Sequence, residues 1–117
     1  MHSQQLLDHF ANPRNAGDLD NPNLRIDVEN PICGDQLRLT LQIDEIITSL
    51  RFRARGCTAS IACASALTEL LQSRSRAELS QITPAAIEAA VGGLIPESKH
   101  AAVLAADAVR QIEKLWK

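Results

Sequence analysis

The chain has 117 residues, of which 45 % are hydrophobic and 3 % aromatic, and its 12 Lys+Arg against 14 Asp+Glu leave a formal charge of −2. That length supports one core rather than two and predicts a single domain over residues 1–117. Two Phe, one Trp and no Tyr make no stacking platform for single-stranded nucleic acid, and the slightly acidic balance gives no pull towards phosphate backbones or anionic membranes.

In chain order, residues 3–10 predict a short helix with Leu6, Leu7 and Phe10 on one side, and Asn12-Pro13-Arg14-Asn15-Ala16-Gly17 ends it, as Pro and Gly do. A polar link leads into residues 24–29, which alternate with period two and read as a strand. The clearest strand follows Asp35. There Leu37, Leu39, Leu41 and Ile43 alternate with Arg38, Thr40 and Gln42, giving one buried and one wet face. Asp44-Glu45 turns the chain, without the Gly of a strong hairpin signal, into a return strand over 46–55. Leu50, Phe52 and Ala54 share one of its faces; Arg51, Arg53 and Arg55 share the other. With Arg38, they form a basic patch explained by a solvated strand face or by docking to an acidic partner.

Helices follow. Residues 58–71 are rich in Ala, Leu and Ser. Shorter helices are predicted over 77–81 and 84–91, the latter with Thr83 as N-cap, Pro84 at the first helical position and Gly92-Gly93 after it. A last helix opens at Glu97 or Ser98 and runs to about Trp116, with His100, Val103, Leu104, Ala108 and Ile112 close to one stripe. Strands first and helices after argue an α+β fold: a three-stranded antiparallel sheet packed against helices.

No apolar run approaches the ~20 residues that span a bilayer. The start, Met1-His2-Ser3-Gln4-Gln5, lacks the basic and apolar segments of a signal peptide. A cytoplasmic location is expected, and three cysteines there point to metal or thiolate chemistry rather than a disulfide framework. Cys33 lies just before the second strand with Asp35 two residues on, so that on extended backbone both side chains face one way. Gly34 between them permits a tight loop. Cys57 follows Gly56 at the entry to the Ala-rich helix, where free amides and the helix dipole favour thiolate. His100 opens the last helix. Each residue alone has an ordinary explanation as a loop thiol, a small junction residue or a surface imidazole. Together they are the side-chain types that hold zinc or an iron–sulfur cluster. Cys63 lies about 600° around the helix from Cys57 and reads as core; His2 and His9 carry less weight still.

The order and spacing of these pieces resemble the IscU/NifU-type scaffold family for iron–sulfur cluster assembly. The resemblance covers nearly the whole chain: Asn12-Pro13-Arg14-Asn15 with Gly17, then Asn30-Pro31-Ile32-Cys33-Gly34-Asp35, then Phe52 with Gly56-Cys57. It continues through Ala59-Ser60-Ile61-Ala62-Cys63-Ala64-Ser65, then Leu94-Ile95-Pro96 and His100, then Val103-Leu104-Ala105. The insertion that marks the SufU branch is absent, so the chain looks like the IscU branch or the N-terminal domain of NifU.

The resemblance implies a non-enzymatic scaffold that builds a transient [2Fe–2S] cluster from iron and sulfur supplied by a cysteine desulfurase, then passes it to apo-proteins. Cys33, Asp35, Cys57 and His100 match the family's ligand positions for cluster or metal. Two departures touch function. The family's third cysteine follows the histidine, and that position is Ala101 here. The stretch recognised by the specialised Hsp70 chaperone, Leu-Pro-Pro-Val-Lys in the family, reads Leu94-Ile95-Pro96-Glu97-Ser98, which argues against handover by that system. Two cysteines, one aspartate and one histidine still supply four ligands, for a closed tetrahedral Zn²⁺ site or for a cluster with two non-thiolate ligands, as in Rieske centres. Two alternatives therefore stand beside the scaffold: a zinc-binding relative that regulates a desulfurase or cluster assembly, and a zinc-dependent sulfurtransferase.

Overall fold

The computed structural model describes residues 1–116. Helix α1 (Gln4–Ala11) is followed by strands β1 (Leu24–Glu29), β2 (Gln36–Ile43) and β3 (Ile47–Arg55), then by α2 (Thr58–Leu71), α3 (Pro84–Ala90) and α4 (Lys99–Leu115). The strands form one antiparallel sheet in the order β1-β2-β3. Its register places Ile26, Leu39 and Phe52 in one row and Val28, Leu37 and Ala54 in the next. That face joins a single hydrophobic cluster with residues from α1, α2, α3 and α4, so the period-two pattern of β2 sets which side the helices cover.

The turn between β2 and β3 lacks glycine and shifts the register at Gln42/Ile43, and Ile46 bridges to Ser75 instead of opening the strand. The segment expected as a helix over 77–81 is a 3₁₀ helix, Arg76–Gln81, opened by Ser75, whose N–H donates to Glu78 Oε1 at 2.9 Å. A second 3₁₀ turn, Pro96–Ser98, feeds α4. Thr83 caps α3 by accepting from the Ala86 N–H.

Two helix faces differ from expectation. In α1 the buried residues are Leu6 and His9, while Leu7 and Phe10 are 46 % and 40 % exposed. His9 can face inward because its Nδ1 pairs with Ser65 Oγ at 2.8 Å. In α4 the stripe is wider than one face. Ala101, Ala102, Ala105, Ala106 and Val109 are buried with Leu104, Ala108 and Ile112, whereas Val103 is 49 % exposed. The helix touches β1 and β2 as well as α2 and α3, and its alanines allow that close approach.

The Asn12-Pro13-Arg14-Asn15 segment locks these layers. The Arg14 N–H donates to Ser65 Oγ at 2.9 Å, and the Asn15 side chain donates to Thr68 Oγ1 at 3.1 Å. Asn15 adopts a left-handed φ of 59° that lets its carbonyl accept the Phe52 N–H at 2.8 Å. Asn is among the few non-glycine residues that tolerate this conformation. On the wet sheet face, Arg38 donates to Asp27 at 3.0 Å, Arg53 to Asp18, and Arg51 to Asn15 at 3.2 Å, so three of the four arginines of the patch have partners inside the chain.

Burial pulls the His9 imidazole below its ordinary 6.5, aided by Arg14 and opposed by Glu69 and Asp8. Below pH 6.5 the unfolded chain takes up a proton that the folded one resists. Stability from this residue is therefore complete above about 6.5 and falls as pH drops towards the folded-state value. We expect a lower urea midpoint at pH 5 than at pH 7, and an NMR titration of His9 centred below 6.5; a midpoint at or above 6.5 would contradict the assignment.

Candidate metal centre

The site lies where β2 begins, β3 ends and α4 starts. Between β1 and β2 the chain closes a small loop: the Gly34 N–H donates to the Asn30 carbonyl at 2.7 Å and the Asn30 N–H to the Asp35 carbonyl at 2.8 Å. Asn30 Oδ1 accepts from the Ile32 N–H at 3.0 Å. Residues 31–33 form a turn, so Cys33 is not on extended backbone as the spacing suggested. Gly34, at φ 76°, bends the chain so that Cys33 and Asp35 nevertheless converge.

Cys33, Asp35 and His100 each bring a ligand atom within 4.8 Å of the others. Asp35 is 4 % exposed, and its Oδ2 lies 3.2 Å from His100 Nε2. Cys57 enters from the residue before α2, in extended conformation as its N-cap. Its thiol donates to Asp35 Oδ2 at 3.7 Å and lies 3.8 Å from His100 Nε2. All four candidate residues thus meet around one carboxylate. Burial pushes the Asp35 carboxyl up, but hydrogen bonds from Ser60 and Cys33, together with His100, outweigh it and hold the group below its ordinary value.

Gly56 makes this convergence possible. Its φ of 148° suits glycine, and a Cβ there would sit 2.6 Å from the Asp35 carboxyl carbon and nearer still to Oδ1. Cys33 and Cys57 are exposed, whereas Cys63 is fully buried. Burial pushes the Cys63 thiol up to about 12, which leaves it protonated and inert in the core. Ala101, next to His100 at the start of α4, is 1 % exposed. Ser60 was not singled out from the sequence. It donates to Asp35 Oδ2 at 2.5 Å and lies 3.3 Å from Cys57 Sγ. The available signal was its place three residues after Cys57, on the same side of a helix.

Two sulfurs, a carboxylate oxygen and an imidazole nitrogen suit zinc or an iron–sulfur cluster. Among known proteins, the NifU-like N terminal domain family matches residues 1–115. The chain belongs to that family. It is 38 % identical over 112 residues to the iron-sulfur cluster assembly scaffold protein IscU 1 of Archaeoglobus fulgidus, covering 95 % of this chain and 73 % of that one. It is 42 % identical over 116 residues to the bifunctional protein NifU/MnmA of Rubrobacter xylanophilus, covering 96 % of this chain and 24 % of that one, so it spans about a quarter of that relative. The zinc-dependent sulfurtransferase SufU of Bacillus subtilis is 39 % identical over 75 residues, 63 % of this chain and 50 % of that one. A solved putative SUF-system scaffold from Fervidobacterium islandicum shares the fold at TM-score 0.79 and 16 % identity, over 94 % of each chain. Among the described residues no helix is long and apolar enough to cross a membrane.

Proposed function

We propose that this chain is an iron–sulfur cluster assembly scaffold that takes iron and sulfide as cargo and holds them on Cys33, Asp35, Cys57 and His100. The observation that carries this reading is the convergence of three ligand atoms within 4.8 Å, with the Cys57 sulfur in reach of two of those residues. Cys33 and Cys57 supply thiolates, Asp35 a carboxylate oxygen already deprotonated at neutral pH, and His100 its Nε2 lone pair. Both cysteines are exposed, so an incoming cluster component and a receiving protein reach the same atoms. This reading gives the chain a cysteine desulfurase as sulfur source and apo-proteins as recipients, with no turnover by the chain itself; a relative named as an iron–sulfur cluster assembly scaffold supports the assembly role.

A second reading has its own support. Only two thiols face the site, and a Cys₂/Asp/His set closes a tetrahedral Zn²⁺ site; a zinc-holding relative that regulates a desulfurase would look the same.

The deciding experiment is iron, zinc and acid-labile sulfide analysis of the protein purified without oxygen, beside an Ala101→Cys variant. Near-equal iron and sulfide in the unaltered chain are expected. Zinc alone there, with iron and sulfide appearing only in the variant, would replace the scaffold reading by the zinc one.

A further inference from the structure

Ser60 is a polar group that the four-ligand set leaves over. It is 5 % exposed in the first turn of α2, among Ala59, Ala62 and Cys63, all of them buried. Alanine would serve the helix better than serine there, so the hydroxyl has no evident use in the helix itself. What it does is hold the site. It donates to Asp35 Oδ2 at 2.5 Å and touches Cys57 Sγ at 3.3 Å, while the backbone of Gly56 closes against Oδ1.

Two other groups reach Oδ2, His100 Nε2 at 3.2 Å and the Cys57 thiol at 3.7 Å. Both lose that role on metal binding, because the nitrogen lone pair and the sulfur then face the ion and carry no proton to donate. Ser60 keeps its hydrogen whether or not the ion is present. We propose that Ser60 is a positioning residue: it fixes the Asp35 carboxylate, and the Cys57 sulfur beside it, in the arrangement that accepts a metal ion. This rests on the ligand set proposed above.

Outer hydrogen-bond partners of metal ligands typically change affinity by about 10- to 100-fold, and that is the size expected here. The test is binding of Co²⁺ and Zn²⁺ alone, measured by competition with a chromophoric chelator, for the unaltered chain, Ser60→Ala, Ser60→Thr, Asp35→Ala and the Ser60→Ala/Asp35→Ala pair. Ser60→Ala should weaken both metals about 10- to 100-fold and shift the visible bands of bound Co²⁺, under conditions where urea titration shows the variant fully folded. Ser60→Thr, which keeps the hydroxyl, should recover most of the affinity. In the Asp35→Ala background, Ser60→Ala should cost much less than in the unaltered chain, because only its contact with Cys57 Sγ then remains.

Affinity and spectrum unchanged in Ser60→Ala, or losses that simply add in the double variant, would overturn the role of Ser60 while leaving the ligand set intact. Failure of the unaltered chain to bind either metal would overturn the ligand set, and this proposal with it.

Discussion

Gly56→Ala should cost more stability than a surface glycine replacement and should disable the metal centre as well. The backbone strain of a side chain at φ 148° is worth about 1–3 kcal/mol. The added methyl would then meet the Asp35 carboxyl carbon at 2.6 Å, and overpacking of that kind adds about 1–3 kcal/mol. The neighbour cannot give way freely, because Ser60 and His100 hold the same carboxylate. A thermal midpoint lowered by roughly 10 °C is expected, with metal affinity lost at temperatures where the variant is still folded. Gly34→Ala is the control. Its φ of 76° is also left-handed, but nothing lies within 4 Å of the new Cβ, so only the strain remains. Equal melting of the two variants would mean that contact with Asp35 is not what requires glycine at 56.

The contrast between Gly34 and Gly56 shows how far the sequence could be read. Period-two alternation placed β2 and gave β1 its bounds, because a face that must be buried leaves no freedom in register. The four candidate residues were picked out by their order and spacing along the chain, and the fold brings Cys33, Asp35, Cys57 and His100 together. The close approach of Gly56 to Asp35 was not, because it depends on how β3 ends beside the loop before β2. Nor were the inward faces of α1 and α4. His9 can be buried because Ser65, 56 residues away, pairs with its Nδ1, and α4 buries alanines on several sides because sheet and helices surround it. Helical periodicity assumes one wet face, and neither helix has the one it predicts. The Asn-Pro-Arg-Asn motif, read as a helix stop, turns out to anchor α1 and β3 to α2 through Ser65, Thr68 and Phe52.

Cys57→Ser and Cys63→Ser should separate metal binding from stability in opposite directions. Cys57 occupies the N-cap of α2 in extended conformation but makes no capping hydrogen bond. Serine is among the best residues for that position, worth about 0.5–2 kcal/mol over a residue that cannot cap. The variant should therefore melt no lower than the unaltered chain, and up to a few degrees higher. Its metal affinity should collapse. A structural zinc site holds about 10–16 kcal/mol over four ligands, so one thiolate accounts for roughly a quarter of that, on the order of a 100- to 1,000-fold loss. Cys63 has the opposite situation. Fully buried, it behaves as a small hydrophobe, and a serine hydroxyl there loses about 1–3 kcal/mol unless it finds a partner. Because its thiol stays protonated in the core, Cys63→Ser should bind Co²⁺ or Zn²⁺ as tightly as before. The pair is read by urea titration and chelator competition on the same samples. Metal affinity lost in Cys63→Ser and kept in Cys57→Ser would place the second thiolate at the wrong cysteine, and with it the centre around Asp35. The residue that gives up a helix cap in this fold is then the one proposed to hold the ion.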